Sequence, residues 1–486
     1  ESRVIWFAAI SRAAIILLQF IFNRILPDHN AGVFISPLKE VEGISAWDNV
    51  VDYLFAGLTR WDAQYFLHVS KHGYSYENTL AFAPLYPIAV RYMSIILKCI
   101  FFTLNEDSTT ILAALLINFI CFVKSAGVLY ELSKIVLKDD SLAYKSAILY
   151  CVNPASIFFT AFYSESMFAF ISFRAMLAFA KNNPYIYLPI GLSALVRSNG
   201  LINIGFPVYL WIKSFLQYFL PRIIKSHKIR SKEVITPYGC RTMIGALIWL
   251  VNIVFLSIAP YVLLQLYNYS LYCTGNGITV GNNVLKYGLK SGFLIAGTET
   301  PPWCDSQIPI AYSYVQEKYW GVGFMQYYEF KQIPNFLLAV PVLCIMLIQS
   351  FRYLNENRLE LYTLGSFSGK IGSKRPSEMF VFVIHGLFLT IFCIFYVHIQ
   401  VSTRLLCSAS PLLYWYCASS LSHKSDNNIK GKYQGDLELE ENLRSKWRVF
   451  IFTQANYHRN DVVILSYFIC YVITGCVMFP NFLPWT

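Results

Sequence analysis

The stretch Arg60-Trp61-Asp62-Ala63-Gln64-Tyr65-Phe66-Leu67-His68-Val69-Ser70-Lys71-His72-Gly73-Tyr74 decides how the rest of the chain is read. It is a short polar and aromatic helix set between two strongly apolar segments, so it brings one carboxylate, Arg60, His68 and His72 beside a membrane. A bare carboxylate in hydrocarbon is costly, so Asp62 must be paired or kept in a water-accessible cavity. Ionisable groups at such depth mark functional sites by default. Thr59-Arg60-Trp61-Asp62 also fits a capping box, with Thr59 as N-cap and Asp62 at the third helical position. The two roles for Asp62, helix start and catalytic base, are compatible, and both stay open.

On a helix, Trp61, Tyr65, His68 and His72 share one face, and Asp62, Phe66 and Val69 share the next. Gly73 suits the left-handed C-cap position. The positive end of the helix dipole favours an ionised Asp62, as a base for a sugar hydroxyl requires.

The chain has 486 residues, 56% hydrophobic and 14% charged, with mean hydropathy +0.46. Soluble domains carry about 25% charge, so an all-α polytopic membrane protein is expected. Apolar runs of roughly 17–25 residues suit single crossings. Eleven are expected, at about 4–26, 82–103, 111–137, 142–162, 164–181, 200–220, 242–267, 334–351, 378–400, 404–421 and 461–480. The stretch 184–199, ending Arg197-Ser198-Asn199, is too short and polar for a clean span and reads as a broken or re-entrant segment. The first apolar run reads as a retained helix, too long for a signal-peptide core.

The net charge of +11 sits in short loops between apolar runs. No basic stripe is interleaved with exposed aromatics, which argues against nucleic acid. The Lys/Arg-rich loops 221–241, 352–377 and 422–448 belong in the cytosol by the positive-inside rule. Counting outward puts 27–81 and 268–333 in the lumen, the amino terminus in the cytosol and the carboxyl terminus in the lumen. The whole of 1–486 reads as one integral membrane domain, with the catalytic motif in 27–81 and a second large lumenal loop at 268–333.

That second loop is rich in Tyr, Trp, Gly and Pro, as in Thr300-Pro301-Pro302-Trp303-Cys304 and Tyr319-Trp320-Gly321-Val322-Gly323. Its aromatics suit either interfacial anchoring or sugar stacking. Of 12 cysteines, most lie in apolar runs and none has zinc spacing. Cys273 and Cys304 share this polar loop, where an oxidising lumen would let them pair. Arg197 and Arg404 fall near membrane edges and suit bidentate phosphate contact, although a lone Arg404 could equally snorkel at a helix end. Lys71 and His72 suit phosphate contact or simple solvation, and Glu165 suits a helix cap. Walker loop, GxSxG, HExxH and dinucleotide fingerprints are all absent, which removes nucleotide hydrolysis, serine esterase, zinc protease and dinucleotide redox chemistry.

Arg60-Trp61-Asp62-Ala63, His72-Gly73-Tyr74 and Phe82-Ala83-Pro84-Leu85-Tyr86-Pro87 resemble the first lumenal loop of the PIG-V family of GPI mannosyltransferases. The resemblance continues through Asn153-Pro154-Ala155-Ser156-Ile157-Phe158-Phe159, Tyr163-Ser164-Glu165, Arg197-Ser198-Asn199-Gly200, Tyr319–Phe324, His398-Ile399-Gln400-Val401 and Phe482-Leu483-Pro484-Trp485-Thr486. It implies a GT-C bundle of about 11 transmembrane helices with a lumenal loop cap, in the endoplasmic reticulum membrane. It implies α-1,6 transfer of the second mannose from dolichyl-phosphate mannose to the GPI precursor glycolipid, with inversion at the anomeric carbon. Asp62 then matches the base, while Arg60, Trp61, His72, Arg197, Trp320, His398 and Arg404 match substrate-binding positions. The donor carries its own activated phosphate, so no cofactor or metal is expected; dependence on an accessory membrane subunit stays open. A lipid or solute transporter is the rival reading, but matched broken helices in paired halves are not seen.

Overall fold

The computed structural model describes residues 1–37, 44–219, 237–275, 280–364, 376–421 and 457–485. Most of the cytosolic loops expected at 221–241 and 422–448, and the middle of 352–377, lie outside the described residues. The described chain is helical, with one isolated β-bridge between Tyr76 and Ile295. Among the described residues, five helices are long and apolar enough to cross a membrane: Ser2–Ile25, Glu106–Leu137, Ile244–Cys273, Phe330–Glu356 and Arg459–Asn481. This is a polytopic membrane protein.

In chain order the helices are α1 (Ser2–Ile25), α2 (Ala46–Phe55), α3 (Ala63–His72), α4 (Leu85–Ile100) and α5 (Glu106–Leu137). Then come α6 (Asp140–Cys151), α7 (Glu165–Ala180), α8 (Tyr187–Val196), α9 (Gly205–Ser214) and α10 (Pro237–Cys273). After α11 (Asn282–Ser291) and α12 (Ala311–Trp320) follow α13 (Ile333–Glu356), α14 (Phe380–Phe395), α15 (Ser402–Ala409), α16 (Leu412–Ser420) and α17 (Arg459–Met478).

The segment expected to cross at 82–103 forms α4, which packs back along α5. Asn118 Nδ2 of α5 donates to Tyr86 Oη at the start of α4 (3.1 Å), and Ser94 meets Thr109 and Thr110 at 3.0 and 3.1 Å. α4 therefore runs antiparallel along only the first part of α5. At about 1.5 Å per residue, Tyr86 sits about 18 Å in from the start of a helix about 48 Å long. The far end of α4 is held as well. Asp48 of α2 accepts the Asn105 N–H (2.9 Å) while also closing the Ser45 capping box, and Lys71 of α3 pairs with Asp107. Lys71 is thus neither solvated nor free for phosphate.

Other ion pairs fix the ends of the bundle. Lys138 after α5 pairs with Glu378 before α14, and Lys181 after α7 pairs with Glu131 late in α5. The start of α7, at Glu165, lies instead beside Arg404 and Asp62. Opposite sides had been expected for the 162–164 turn and Asp62, and for Lys138 and Glu378. Removing 82–103 as a crossing and adding the short apolar helix Pro184–Val196 brings every pair to a common side.

Two expected spans are broken by proline. α6 stops at Cys151, where Asn153-Pro154 disfavours helix and withdraws a donor. Non-helical turns then carry the chain to Glu165. α15 and α16 are separated at Ser410-Pro411. Irregular backbone at membrane depth must be satisfied by protein, and Arg12 of α1 does this. Its guanidinium donates to Ser156 O (2.8 Å), Thr160 Oγ1 (3.0 Å) and Cys151 O (2.9 Å), and stacks 3.8 Å over the Phe122 ring. A cation on the carbonyl end of α6 also complements the helix dipole.

The two long loops fold together as a cap. Glu77, fully buried, accepts from Trp303 Nε1 (3.2 Å), Lys318 Nζ (2.7 Å) and Tyr319 Oη (2.7 Å). Backbone bonds Glu77 N–H to Leu294 O (2.9 Å) and Ala296 N–H to Ser75 O (3.0 Å) surround the Tyr76–Ile295 bridge. Gly288 lets Tyr76 approach, since a Cβ there would lie 2.7 Å from the ring. A disulfide joins Cys273 at the end of α10 to Cys304, with Cα atoms 5.6 Å apart.

Arg12→Met should leave the Cys151 carbonyl buried and unpaired and the Ser156 carbonyl with only the Thr160 hydroxyl at 3.4 Å, at a cost of about 3 kcal/mol or more. The expected outcome is a clear drop in the melting temperature of the detergent-purified protein; an unchanged melting curve would show that the turns at 152–164 hold without it.

Candidate active site

The site is built where the broken turns meet the cap. Trp61 has φ +58°, a left-handed conformation rare for a bulky residue. It stops the helix from starting at Arg60, so α3 begins at Ala63 and Trp61 lies off the helical face expected to include it. The expected capping box is also absent. Thr59 Oγ1 donates to Ala56 O (2.8 Å), and the Asp62 side chain caps nothing. Instead the Asp62 N–H donates to Tyr163 Oη (3.0 Å), and its carboxylate is left to face the bundle. Gly73 ends α3 at φ +68°, ψ −156°, a region open in practice only to glycine, rather than in the left-handed helical conformation expected.

Arg404 Nη2 lies 2.9 Å from Asp62 Oδ2, and Arg404 Nε lies 3.8 Å from Glu165 Oε1. Arg197, at the end of α8, pairs with the same Glu165 oxygen. Four charges thus alternate in sign across α3, α15, α7 and the end of α8. Arg404 does not snorkel: it is buried, with its guanidinium carbon 5.4 Å from the Phe158 and Tyr163 ring centres. Glu165 is fully buried, and among the described residues its Oε2 and Arg404 Nε have no hydrogen-bond partner.

A small pocket opens beside Arg404. Phe158, Leu338, Tyr471 and Trp485 make its apolar walls, and Asn335, Gln400 and Thr403 its polar ones. Tyr327 Oη sits among these polar groups, accepting from Asn335 (2.9 Å), with Gln332 Oε1 (2.6 Å) and Gln400 Oε1 (2.9 Å) both in reach of its one proton. His398 stacks on Tyr327 at 4.4 Å, and its ring also reaches the backbone of Trp320 and Gly321. Trp320 meets the edges of Tyr65 and Phe82 at 5.8 and 5.9 Å, over the first turn of α3.

The sequence-derived candidates therefore divide. Asp62, Arg404 and Arg197 come together through Glu165, and Trp320 and His398 stand in one adjoining cluster. Arg60 turns away: it binds Pro480 O (3.2 Å) and Asp28 (2.7 Å) and stacks 4.5 Å over Phe482. Trp61 packs 6.2 Å from Phe482 as well. His72 lies about 15 Å along α3 from Asp62, against the Pro37 carbonyl at 3.3 Å. His68, unassigned from sequence, sits between Ser75 Oγ (2.6 Å) and Ser36 Oγ (3.4 Å). Burial, then the neighbouring His72 and Lys71, push its pKa well down, so it is neutral in the cap. Tyr163, Phe158 and Trp485 were also missed as site residues. Their only signal was membership of the motifs quoted above, since an aromatic in an apolar run looks like core.

Comparison with known proteins gives the context for this geometry. The family model described as Mannosyltransferase (PIG-V) matches residues 1–486. GPI mannosyltransferase 2 of Drosophila melanogaster is 35% identical over 99% of this chain and 98% of its own. The GPI alpha-1,6-mannosyltransferase 2 proteins of Cricetulus griseus and Homo sapiens are 32% and 31% identical, each over 100% of this chain and 99% of their own. No solved structure matches. A full-length family match and relatives above 30% identity, joined to a paired carboxylate under an aromatic cap, place this chain in the PIG-V mannosyltransferase family.

Proposed function

We propose that the chain transfers the second mannose, in α-1,6 linkage, from dolichyl-phosphate mannose to the GPI precursor glycolipid in the endoplasmic reticulum membrane. The observation that carries this reading is the Asp62–Arg404 pair at the mouth of a partly apolar pocket, in a chain matching mannosyltransferases end to end. The acceptor hydroxyl oxygen attacks the anomeric carbon, the bond from that carbon to the phosphate oxygen breaks, and Asp62 takes the hydroxyl proton. Dolichyl phosphate leaves as an anion, with inversion from the β-linked donor to an α-linked product. Arg404 meets the phosphate charge, and its unpartnered Nε gives it a donor to spare. Trp320, with Tyr65 beneath it, supplies a sugar-facing surface, and Phe158, Leu338 and Trp485 suit the first isoprene units. No cofactor is called for. A transporter reading gains nothing from the geometry.

The sidedness we propose has eleven crossings, with 184–196 in place of 82–103. The turn at 101–105 is then lumenal, together with the cap. A protease site inserted after Phe102 should be protected in sealed microsomes, while one at Asn427 is cut; cleavage of the Phe102 site in sealed vesicles would restore the original order.

Asp62→Asn keeps size and removes the proton acceptor, so transfer from radiolabelled donor should fall about 100-fold or more, with normal protein abundance. Wild-type turnover in that variant would end the base assignment. Arg404→Lys loses the planar two-pronged contact and should raise the KM for dolichyl-phosphate mannose or slow transfer. Full activity in Arg404→Ala would leave the arginine a purely structural role.

A further inference from the structure

Glu165 opens α7, yet its carboxylate is turned to two guanidiniums rather than to its own helix. Arg197 and Arg404 both approach the same oxygen, while Oε2 is unpartnered. Arg404 is thereby shared between two carboxylates. One, Asp62, keeps about a quarter of its side chain exposed beside the pocket; the other is sealed. A guanidinium held by Asp62 alone would hold that carboxylate ionised and reluctant to accept a proton. A second carboxylate on the far side of the same guanidinium offsets part of its charge.

We infer that Glu165 is a positioning residue that divides the charge of Arg404 and so keeps Asp62 basic enough to take the acceptor proton. Glu165 touches no substrate; it acts through Arg404, and Arg197 in turn sets how strongly it does so. When the donor phosphate arrives, Arg404 has two anions to exchange against it rather than one. The titratable groups facing Glu165 are Arg197, Arg404, Tyr163 and Tyr86, and those facing Asp62 are Arg404, Tyr163 and Tyr65. The tyrosines are held neutral by burial, so the two arginines carry the effect.

This inference rests on Asp62 as base, and its test moves a different quantity. Glu165→Gln keeps shape and removes the charge, leaving Arg404 wholly to Asp62. Turnover should fall about 10-fold, the acid limb of the kcat–pH profile should move to lower pH, and the KM for dolichyl-phosphate mannose should stay or fall. Arg197→Gln should do the reverse, moving the acid limb to higher pH and raising that KM, because Glu165 then claims more of Arg404. Glu165→Asp keeps the charge and should restore most of the turnover. Acid limbs that stay put, or move the same way in both variants, overturn the proposal even when Asp62→Asn is inactive. A Glu165→Gln enzyme that loses only donor affinity overturns it too. If Glu165→Gln does not accumulate, Arg197→Gln alone decides by the direction of its limb. An active Asp62→Asn enzyme would instead sink the base reading itself.

Discussion

A charge inside an apolar bundle is tolerable only when it is paired, and four charges at one end of this one organise the structure around them. Asp62, Arg404, Glu165 and Arg197 come from four separated parts of the chain. Any of them alone would be expensive at that depth. Together they hold the starts of α3 and α7, the end of α8 and the body of α15 in one place. Such a cluster is poor value as a stabiliser, because each member first has to leave water. Its sense lies in what it presents: a pocket-lining arginine shared between a sealed carboxylate and a partly exposed one.

The same pairs read the topology. A salt bridge between two loops puts those loops on one side of the membrane, whatever their hydropathy suggests. Lys71–Asp107, Lys138–Glu378 and the Glu165–Arg404–Asp62 contact each conflict with a crossing at 82–103, and all three agree once that segment returns along α5. Hydropathy alone could not see this. α4 is as apolar as a span, with Ile88, Tyr92, Ile95, Ile96 and Ile100 exposed along it. The apolar helix Pro184–Val196 is shorter than a usual span. Exchanging one crossing for another leaves the parity of the count unchanged.

Much else was legible. Composition indicated the membrane class, and the two cysteines of one polar loop lie bonded in the cap. What sequence could not carry was anything set by pairing across the fold. Glu77 has an unremarkable sequence context, and only its three donors from the distant loop reveal it as the clasp of the cap. Arg12 looked like one more basic residue near an amino terminus, since nothing local announces that the carbonyls it satisfies will be freed at Asn153-Pro154. The partners of Arg60 were hidden for the same reason: adjacency to Asp62 in sequence says nothing about a guanidinium that turns to Pro480 and Phe482.

Trp61 joins these threads. Its left-handed backbone costs on the order of 1–3 kcal/mol, and it is held by neighbours on both sides. Phe482 packs on its ring while Arg60 is clamped to Pro480, and Asp62 is fixed through its N–H to Tyr163. Had Arg60 and Trp61 been helical, Asp62 would have sat in the first turn with Thr59 capping it, facing the backbone. The strained residue delays the helix by three positions and frees the carboxylate from capping. Asp62 can therefore face Arg404, and the carboxyl-terminal segment that braces Trp61 also supplies Trp485 to the pocket wall. The helix-start reading and the catalytic reading looked compatible on sequence grounds. In the fold the Asp62 carboxylate caps nothing and faces Arg404, and the left-handed turn at Trp61 keeps it off the helix start.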